Sequence, residues 1–191
     1  MASIKGTQTE QNLLKAFAGE SQARNRYNLF ANKARKEGYE QIAEIFDVTA
    51  EQERIHAKKF FSFLEGGDLE ITATFPAGVV GSTAENLMAA TAGEKEEWEE
   101  LYPEFARVAA EEGFKEISIA FKMIAKAEMT HSARYDALIE RMKAGEVFAS
   151  EEKILWYCRK CGYIHEGKTP PKVCPACQHP QSYYERKCEN Y

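Results

Sequence analysis

The sequence predicts an all-α four-helix bundle with one long crossover connection, followed by a small, cysteine-rich domain of short strands. Three observations support this prediction. Apolar residues recur at helical spacing in four long segments before residue 149. Residues 68–81 contain one proline and two glycines, have no helical period, and separate the second helix from the third. All five cysteines lie after residue 157. We therefore expect one domain over residues 1–148 and a second over residues 149–191.

The composition of the chain argues against several classes of partner. The 191 residues include 25 basic and 30 acidic side chains, which give a net charge of −5. A mildly acidic surface disfavours binding to nucleic acid or to an anionic membrane. Residues 1–10 lack the apolar core of a secretory signal, and no segment is apolar over the length of a bilayer-spanning helix. Clustered cysteines fit a metal site in a reducing compartment better than a disulfide framework. We therefore expect a cytoplasmic protein.

The first two helices form one pair, and glycines mark where each should end. Thr7 to Glu10 has the pattern of a capping box that begins the first helix, and Gly38 ends it. The second helix is expected to end at Gly66 and Gly67. The inner-face residues of this pair are Leu13, Phe17, Glu20, Ala23, Tyr27, Phe30 and Ala34, then Ile42, Phe46, Thr49, Glu53, His56, Phe60 and Phe63.

The third and fourth helices form the second pair. Ser82 to Glu85 is another capping box, Gly113 divides the two helices, and Gly145 ends the helical region. The inner-face residues of this pair are Leu87, Ala90, Glu94, Glu97, Leu101, Phe105 and Val108, then Ile117, Phe121, Ile124, Glu128, His131, Tyr135, Leu138 and Met142.

The helical region is an internal duplication. Ala18-Gly19-Glu20 recurs as Ala92-Gly93-Glu94, and Glu53-x-x-His56 recurs as Glu128-x-x-His131. Each helix pair therefore carries the same pattern of polar residues on its inner face, and the two patterns should meet in the bundle.

One residue is inserted in the second copy, between Glu94 and Tyr102. A single insertion within a helix is usually absorbed as a π-turn, and such turns are frequent at functional sites. We predict a π-turn near Glu97, close to the bend expected at Pro103.

Four glutamates interrupt the apolar inner faces, namely Glu20, Glu53, Glu94 and Glu128. Buried carboxylates need a charged partner. A set of ion pairs is one alternative, but the inner faces hold no Lys or Arg that could form them. A spacing of three puts Glu53 beside His56, and Glu128 beside His131, on one face of a helix. These residue types at this spacing indicate metal ligands.

One glutamate from each of two helices, with Glu-x-x-His from each of the other two, is the ligand set known in di-iron carboxylate proteins, so this assignment matches a known pattern. Carboxylates with imidazoles suit iron or manganese. By symmetry, two of the glutamates should bridge two metals, and the other four residues should bind one metal each. The expected bridges are Glu53 and Glu128, and the expected terminal ligands are Glu20, Glu94, His56 and His131.

Three further residues are candidates near this site. Glu97 lies three positions after Glu94 and has no acidic counterpart in the first half, so it is a candidate seventh ligand. The alternative is a solvated acid in an acidic run, and its place on the inner face favours the ligand interpretation. Tyr27 and Tyr102 occupy matched positions and could donate hydrogen bonds to ligand carboxylates, or simply pack in the core.

The second domain carries two Cys-x-x-Cys pairs, Cys158 with Cys161 and Cys174 with Cys177. Four thiolates at this spacing predict a tetrahedral metal site, and the pattern leaves zinc and a single iron open. Cys188 lies outside both pairs and is interpreted as an ordinary tail thiol.

Taken together, these motifs resemble the rubrerythrin family over the whole chain. The motifs that carry the resemblance are residues 18–27 (AGESQARNRY), Glu53-x-x-His56, Glu94-x-x-Glu97, Glu128-x-x-His131, and the rubredoxin-like Cys158-x-x-Cys161-Gly-Tyr with Cys174-Pro-x-Cys177. The resemblance implies a ferritin-like di-iron bundle followed by a rubredoxin-like domain that binds one iron through four cysteines.

The resemblance also implies an activity. Rubrerythrins are non-haem iron peroxidases that reduce hydrogen peroxide to water in oxidative-stress defence. Their electrons come from a rubredoxin or an NAD(P)H-dependent reductase and enter at the iron–tetracysteine site. One iron is expected to move between His56 in the reduced state and Glu97 in the oxidised state, which makes these two residues catalytic. The family also implies a homodimer in which the cysteine domain of one chain lies near the di-iron site of the other.

Two alternatives belong to other classes of function. A ferroxidase or iron-handling protein would oxidise Fe(II) at the same site, but it has no need for an attached electron-entry domain. A non-enzymatic zinc-ribbon adaptor would account for the cysteines and leave the buried acids unexplained.

Overall fold

The computed structural model describes residues 3–189, and the predicted domain limits at Met1 and Tyr191 lie outside them. The helices are α1 (Gln8–Lys36), α2 (Glu40–Phe61), α3 (Thr83–Glu96), α4 (Tyr102–Glu111) and α5 (Lys115–Lys143), with a π-turn (Glu97–Leu101) between α3 and α4. The strands are β1 (Ile154–Cys158), β2 (Ile164–Gly167) and β3 (Tyr184–Arg186), with a short 3₁₀ turn (Gln181–Tyr183) before β3.

The helices form the predicted bundle. Helices α1 and α2 pack as one pair, and the continuous rod of α3, the π-turn and α4 packs along α5 as the other. The connection between α2 and α3 has no helix or strand over residues 68–81, as expected for a crossover. The prediction of a four-helix bundle with one long crossover is therefore confirmed. None of the helices within residues 3–189 combines the length and apolarity that a membrane crossing requires.

The second helix ends earlier than its glycines predicted. Helix α2 stops at Phe61, and the next residues form tighter turns in which Phe63 N donates to Phe60 O. Phe63 and Leu64 then pack against the apolar core, while the Glu65 carboxylate accepts a hydrogen bond from Ile4 N at 3.1 Å. Packing of these residues therefore ends the helix before Gly66 is reached.

Two of the helices are capped by carboxylates from distant positions in the sequence. The Ser82–Glu85 capping box is complete, whereas at Thr7 only half of the predicted box forms, because the Glu10 carboxylate accepts from Gly6 N instead of Thr7 N. The N-terminus of α1 is satisfied by Glu112, which follows α4 and accepts from the backbone amides of residues 8 and 9. Glu37, after α1, accepts from the backbone amide and hydroxyl of residue 83 at the start of α3. The duplication thus extends to the capping of the helices.

The π-turn near Glu97 is confirmed, and it corrects one part of the predicted inner face. The residues expected inside after the turn were Leu101, Phe105 and Val108, but the buried residues are Tyr102, Ala106 and Ala109. Because the turn inserts one residue, every later position of the helix rotates by about one place. Pro103 falls in the first turn of α4, directly after the π-turn, and the bend expected there stays a prediction.

Two apolar clusters fill the bundle, one at each end of a polar layer. On each of the four helical rods a glutamate lies between the residues of one cluster and those of the other. These glutamates are Glu20, Glu53, Glu94 and Glu128, and all four are buried. The core therefore holds the acids in one layer at mid-height of the bundle.

The small domain is a three-stranded antiparallel sheet with the order β2-β1-β3. Trp156 is fully buried, and its indole N–H donates to Gly167 O. The domain contacts its own bundle through Arg159, whose guanidinium pairs with Glu44 of α2 and Glu185 of β3. The predicted boundary near Ala149 lies between α5 and β1 and stays a prediction.

Candidate metal centres

Two overlapping groups of ligand atoms lie in the polar layer. One group contains Glu20, Glu53, His56 and Glu128, and the other contains Glu53, Glu94, Glu128 and His131. In each group one ligand atom per residue lies within 4.8 Å of all the others. Glu53 and Glu128 belong to both groups, so they lie between two possible metal positions.

The two shared carboxylates each direct one oxygen toward each histidine. His56 Nδ1 lies 2.9 Å from Glu53 Oε2 and 2.8 Å from Glu128 Oε1. His131 Nδ1 lies 3.2 Å from Glu53 Oε1 and 2.8 Å from Glu128 Oε2. A carboxylate that offers its two oxygens to two different sites has the geometry of a bridging ligand. Each terminal glutamate directs one oxygen toward one histidine, with Glu94 Oε2 3.4 Å from His131 Nδ1 and Glu20 Oε2 3.9 Å from His56 Nδ1.

Many of these ligand atoms are buried without a hydrogen bond. Among the described residues the histidine nitrogens lie close to several carboxylate oxygens, but no hydrogen bond of suitable geometry is formed by Glu20 Oε2, Glu53 Oε1, Glu94 Oε2, either carboxylate oxygen of Glu128, or His131 Nδ1. A buried polar atom without a partner costs about 1–3 kcal/mol, and more when it is charged. These atoms converge on the same space, and divalent cations there would satisfy them. The residues therefore fit a dinuclear metal site.

The electrostatics of the layer also favour cations. Burial, together with the nearby Glu128 carboxylate, raises the pKa of Glu20 well above its usual range. Burial would lower the pKa of a histidine, but contacts with Glu128 and Glu53 outweigh it, raising the pKa of His56 to about 9 and that of His131 to about 12. The clustered carboxylates contribute to both kinds of shift, because they repel further negative charge and attract positive charge, and burial adds to the shift of Glu20.

The two tyrosines hold the terminal glutamates, and they do so across the bundle. Tyr27 donates its hydroxyl hydrogen to Glu94 Oε1, and Tyr102 donates to Glu20 Oε1. Each tyrosine therefore reaches the glutamate of the other half and leaves Oε2 to face the ligand group. The predicted contact with a ligand carboxylate is present, and the sequence did not indicate which glutamate each tyrosine would reach.

The four sulfurs of the small domain form a compact group, with Cys158 Sγ 3.8 Å from Cys177 Sγ and Cys161 Sγ 3.7 Å from Cys174 Sγ. A tetrahedron with metal–sulfur bonds of ~2.3 Å has edges of about 3.8 Å, so these distances fit one metal ion. Cys188 is exposed and lies outside the group.

Models of known protein families match both the helical region and the cysteine-rich region of the chain. The family model described as Rubrerythrin matches residues 11–139, and the model described as Rubrerythrin, rubredoxin-like domain, matches residues 156–185. The chain belongs to the rubrerythrin family. Rubrerythrin from Porphyromonas gingivalis is 63% identical over 189 residues, which cover 99% of this chain and 94% of the relative. Rubrerythrin from Nitratidesulfovibrio vulgaris is 55% identical and covers 97% of both chains.

A solved structure supports the same fold. Nigerythrin in a state described as fully reduced, all ferrous, superposes with a TM-score of 0.65 at 32% identity, covering 97% of this chain and 92% of that one. The architecture is therefore that of a ferritin-like helical domain with a rubredoxin-like domain after it. Membership of the rubrerythrin family places the chain among redox proteins with a candidate di-iron site and a four-cysteine metal site.

Glu97 lies beside the two ligand groups without belonging to either. It is half-buried, and its Oε1 would lie 3.9 Å from a Cβ atom built on Gly19, so it points toward α1. Burial and the carboxylates of the site, Glu94 first among them, raise its pKa well above the usual range. Its role as a seventh ligand stays a prediction.

One contact next to Glu97 was missed by sequence reasoning. The indole N–H of Trp98 donates to Ser132 Oγ at 3.1 Å, which ties the π-turn to α5 one residue after His131. The inserted residue was the available signal, because it marked this segment as irregular, but it did not name the partner of the tryptophan.

Proposed function

We propose that this protein is a non-haem iron peroxidase that reduces hydrogen peroxide to water at the dinuclear site, in defence against oxidative stress. Electrons enter through one iron bound by Cys158, Cys161, Cys174 and Cys177. The observation that carries the proposal is the pair of shared carboxylates, each offering one oxygen to each of two ligand groups. The group of four cysteines in the same chain supports the proposed entry of electrons.

The donor set suits iron in both places. Carboxylates and imidazoles bind iron readily, and a tetrathiolate iron site carries one electron, whereas zinc has no redox chemistry. Iron held by the glutamates and histidines of the polar layer would supply the two electrons that cleavage of the peroxide O–O bond requires and would act as a Lewis acid for the peroxide.

The tyrosines hold protons next to the reacting centre. Burial and the nearby Glu94 raise the pKa of Tyr27 well above 10, and burial with Glu20 does the same for Tyr102. Both hydroxyls therefore keep their protons and hold Oε1 of the terminal glutamates. The Oε2 atoms remain free to bind metal, so the hydrogen bonds fix the orientation of these ligands.

His56 and Glu97 are proposed to exchange as ligands to one metal. In this arrangement His56 lies within hydrogen-bond distance of both shared carboxylates, and Glu97 lies outside the ligand groups. The His56 side chain is also the more accessible of the two histidines, at 14% exposed against 5% for His131. A small rotation of two half-buried side chains would complete the exchange, while His131 stays in place.

Further parts of the proposal rest on the family. A rubredoxin or an NAD(P)H-dependent reductase is proposed as electron donor, a homodimer as the assembly and the cytoplasm as the location. Resemblance to proteins named rubrerythrin over 97% or more of the chain supports these expectations.

The experiment mixes anaerobically reduced, iron-loaded protein with hydrogen peroxide and follows the visible spectrum by stopped flow. Fast oxidation is expected, with the red colour of the ferric tetrathiolate returning, and steady turnover should require a reduced donor. Protein that is not oxidised by peroxide would contradict the peroxidase assignment. Catalytic oxidation of added Fe(II) by oxygen, with no donor-dependent peroxide turnover, would favour the ferroxidase. A colourless zinc site would contradict electron entry through the cysteines.

A further inference from the structure

A groove of about 310 Å³ lies beside the dinuclear site, between α1, the crossover segment and the π-turn. Glu97 and the two tyrosines that hold the terminal glutamates, Tyr27 and Tyr102, line it, and so does Phe75 of the crossover. We infer that this groove binds the organic part of an alkyl or aryl hydroperoxide. This inference rests on the proposed peroxidase function and extends it to a second class of substrate.

The groove is much larger than hydrogen peroxide requires. A water molecule occupies ~30 Å³ of liquid, and hydrogen peroxide adds only one oxygen atom to it. The groove volume of about 310 Å³ lies at the lower end of the range for sites that enclose small organic ligands, roughly 300–1,000 Å³. Reduction of hydrogen peroxide alone therefore does not account for the space.

The two Ala-Gly-Glu repeats each direct their glycine into this groove. Gly19 and Gly93 both line it, and both lie within a helix, where glycine is less favourable than alanine. Neither has the positive φ that would require glycine. A Cβ atom at Gly93 would meet nothing within 4 Å, and one at Gly19 would meet a Phe75 ring carbon at 3.8 Å. Gly93 therefore leaves open space in the groove, Gly19 lies at van der Waals distance from Phe75 and Glu97, and neither provides a special backbone conformation.

The lining of the groove suits an amphiphilic molecule. Ala16, Ala23 and Phe105 contribute apolar surface along its length. Lys15 and Arg26 also line it, and they lie eleven positions apart on α1, about 16 Å at 1.5 Å per residue. The apolar lining fits a hydrocarbon group, and the two cations can pair with an anionic end of the same molecule. Because Glu97 lies beside the metal ligands, the peroxide group of the bound molecule would lie at the part of the groove that Glu97 lines.

The reaction of an organic hydroperoxide balances as that of hydrogen peroxide does. The O–O bond of ROOH breaks, one oxygen leaves as the alcohol ROH, and the other leaves as water. Two electrons come from the reduced di-iron site, and two protons come from solvent. No reactant beyond those of the proposed peroxidase is needed.

The test fills the groove at Gly93 and uses its neighbour as a matched control. Gly93→Leu places a side chain in the groove, whereas Ala92→Leu adds leucine at an exposed position of the same helix. For each protein kcat/KM is measured with cumene hydroperoxide and with hydrogen peroxide. We expect the ratio of the two values to fall at least ~10-fold in Gly93→Leu, the usual effect of a steric mismatch in a pocket. The ratio should not change in Ala92→Leu.

Binding is measured separately from turnover. Calorimetric titration with cumyl alcohol, which has no O–O bond, should show binding to the parent protein and to Ala92→Leu, and none to Gly93→Leu. Gly93→Ala favours the helix, so it replaces the leucine variant if that variant does not fold. The ratio of its kcat/KM for cumene hydroperoxide to its kcat/KM for hydrogen peroxide should lie below that of the parent.

Three results would overturn the inference. They are reduction of hydrogen peroxide without reduction of cumene hydroperoxide, a ratio that the Gly93 variants do not change, and failure of the parent to bind cumyl alcohol. Absence of turnover with hydrogen peroxide itself is distinguishable from these, because it would reject the peroxidase proposal and this inference with it.

Discussion

Removal of the Tyr27 hydroxyl tests whether the phenol–carboxylate hydrogen bonds hold the terminal ligands in place. Tyr27 donates to Glu94 Oε1, and the other oxygen of that carboxylate lies 3.4 Å from His131 Nδ1. Tyr27→Phe keeps the ring and its packing and removes one donor. A hydrogen bond to a charged group contributes ~1.5–3 kcal/mol. Loss of such a partner to a metal ligand typically weakens metal binding ~10–100-fold, or about 1.4–2.7 kcal/mol. The two ranges agree, so a drop of this size is expected.

The assay is anaerobic competition for Fe(II) between the protein and a chelator of known affinity. Tyr102→Phe should weaken binding by a similar factor, because Tyr102 makes the equivalent hydrogen bond to Glu20 on the other side of the site. Tyr135→Phe is the matched control, since Tyr135 is buried in the same bundle and donates to none of the site carboxylates. It should bind iron like the parent.

Two outcomes would refute the reasoning. One is Fe(II) affinity of Tyr27→Phe within twofold of the parent. The other is an equal loss in Tyr135→Phe, which would show that the effect comes from packing and not from the hydrogen bond. Circular dichroism and thermal unfolding of the metal-free proteins would establish that all three variants are folded.

Three further predictions follow from other residues. Glu97→Ala should keep the parental iron content and lower peroxide kcat at least tenfold, and turnover at the parental rate would contradict the proposed exchange with His56. Cys161→Ser should leave a bundle that peroxide still oxidises but that external donors re-reduce slowly, so unchanged steady-state turnover would contradict electron entry at that site. Glu112→Gln should lower the free energy of unfolding at pH 7 by ~1 kcal/mol, because the carboxylate caps α1. Hydrogen bonds from residues 8 and 9 outweigh burial and lower the pKa of Glu112, so this contribution is present above its unfolded pKa and is lost as the pH falls through the folded pKa. Urea unfolding at a series of pH values should therefore show parent and variant converging in acid, and a constant difference would contradict the assignment.

The residues that converge in the polar layer could be predicted from the sequence, because a charged residue on an apolar face is easily recognised. Apolar residues define the inner face of each helix, so a glutamate on that face is visible without any structure. The same holds for the Cys-x-x-Cys pairs, whose short spacing fixes their geometry locally. In both cases the residues that identify the motif lie within one helix or one turn. Residue spacing alone is therefore enough to recognise the motif.

Contacts between helices were harder to predict. Tyr27 lies on the same helix as Glu20, yet its hydroxyl reaches Glu94 of the other half, and the sequence did not indicate which glutamate it would contact. Periodicity shows which face of a helix a residue occupies, but it carries no information on which neighbouring helix that residue meets. The early end of α2 has a similar cause, since packing of Phe63 and Leu64 outweighs the local preference of the glycines.

A single inserted residue explains most of the asymmetry between the two halves. Duplication alone would give two equivalent metal positions, each with one glutamate and one histidine besides the shared carboxylates. The insertion produces the π-turn, which rotates the rest of the helix by about one position and brings Tyr102 inside in place of Leu101. The same turn presents Glu97 to the groove and lets Trp98 donate to Ser132. Because the first half has no equivalent turn, an acid for the proposed exchange with His56 exists on one side only. The proposed difference between the two metal positions would therefore arise from helix geometry, while the glutamates and histidines of the duplicated motifs remain symmetric.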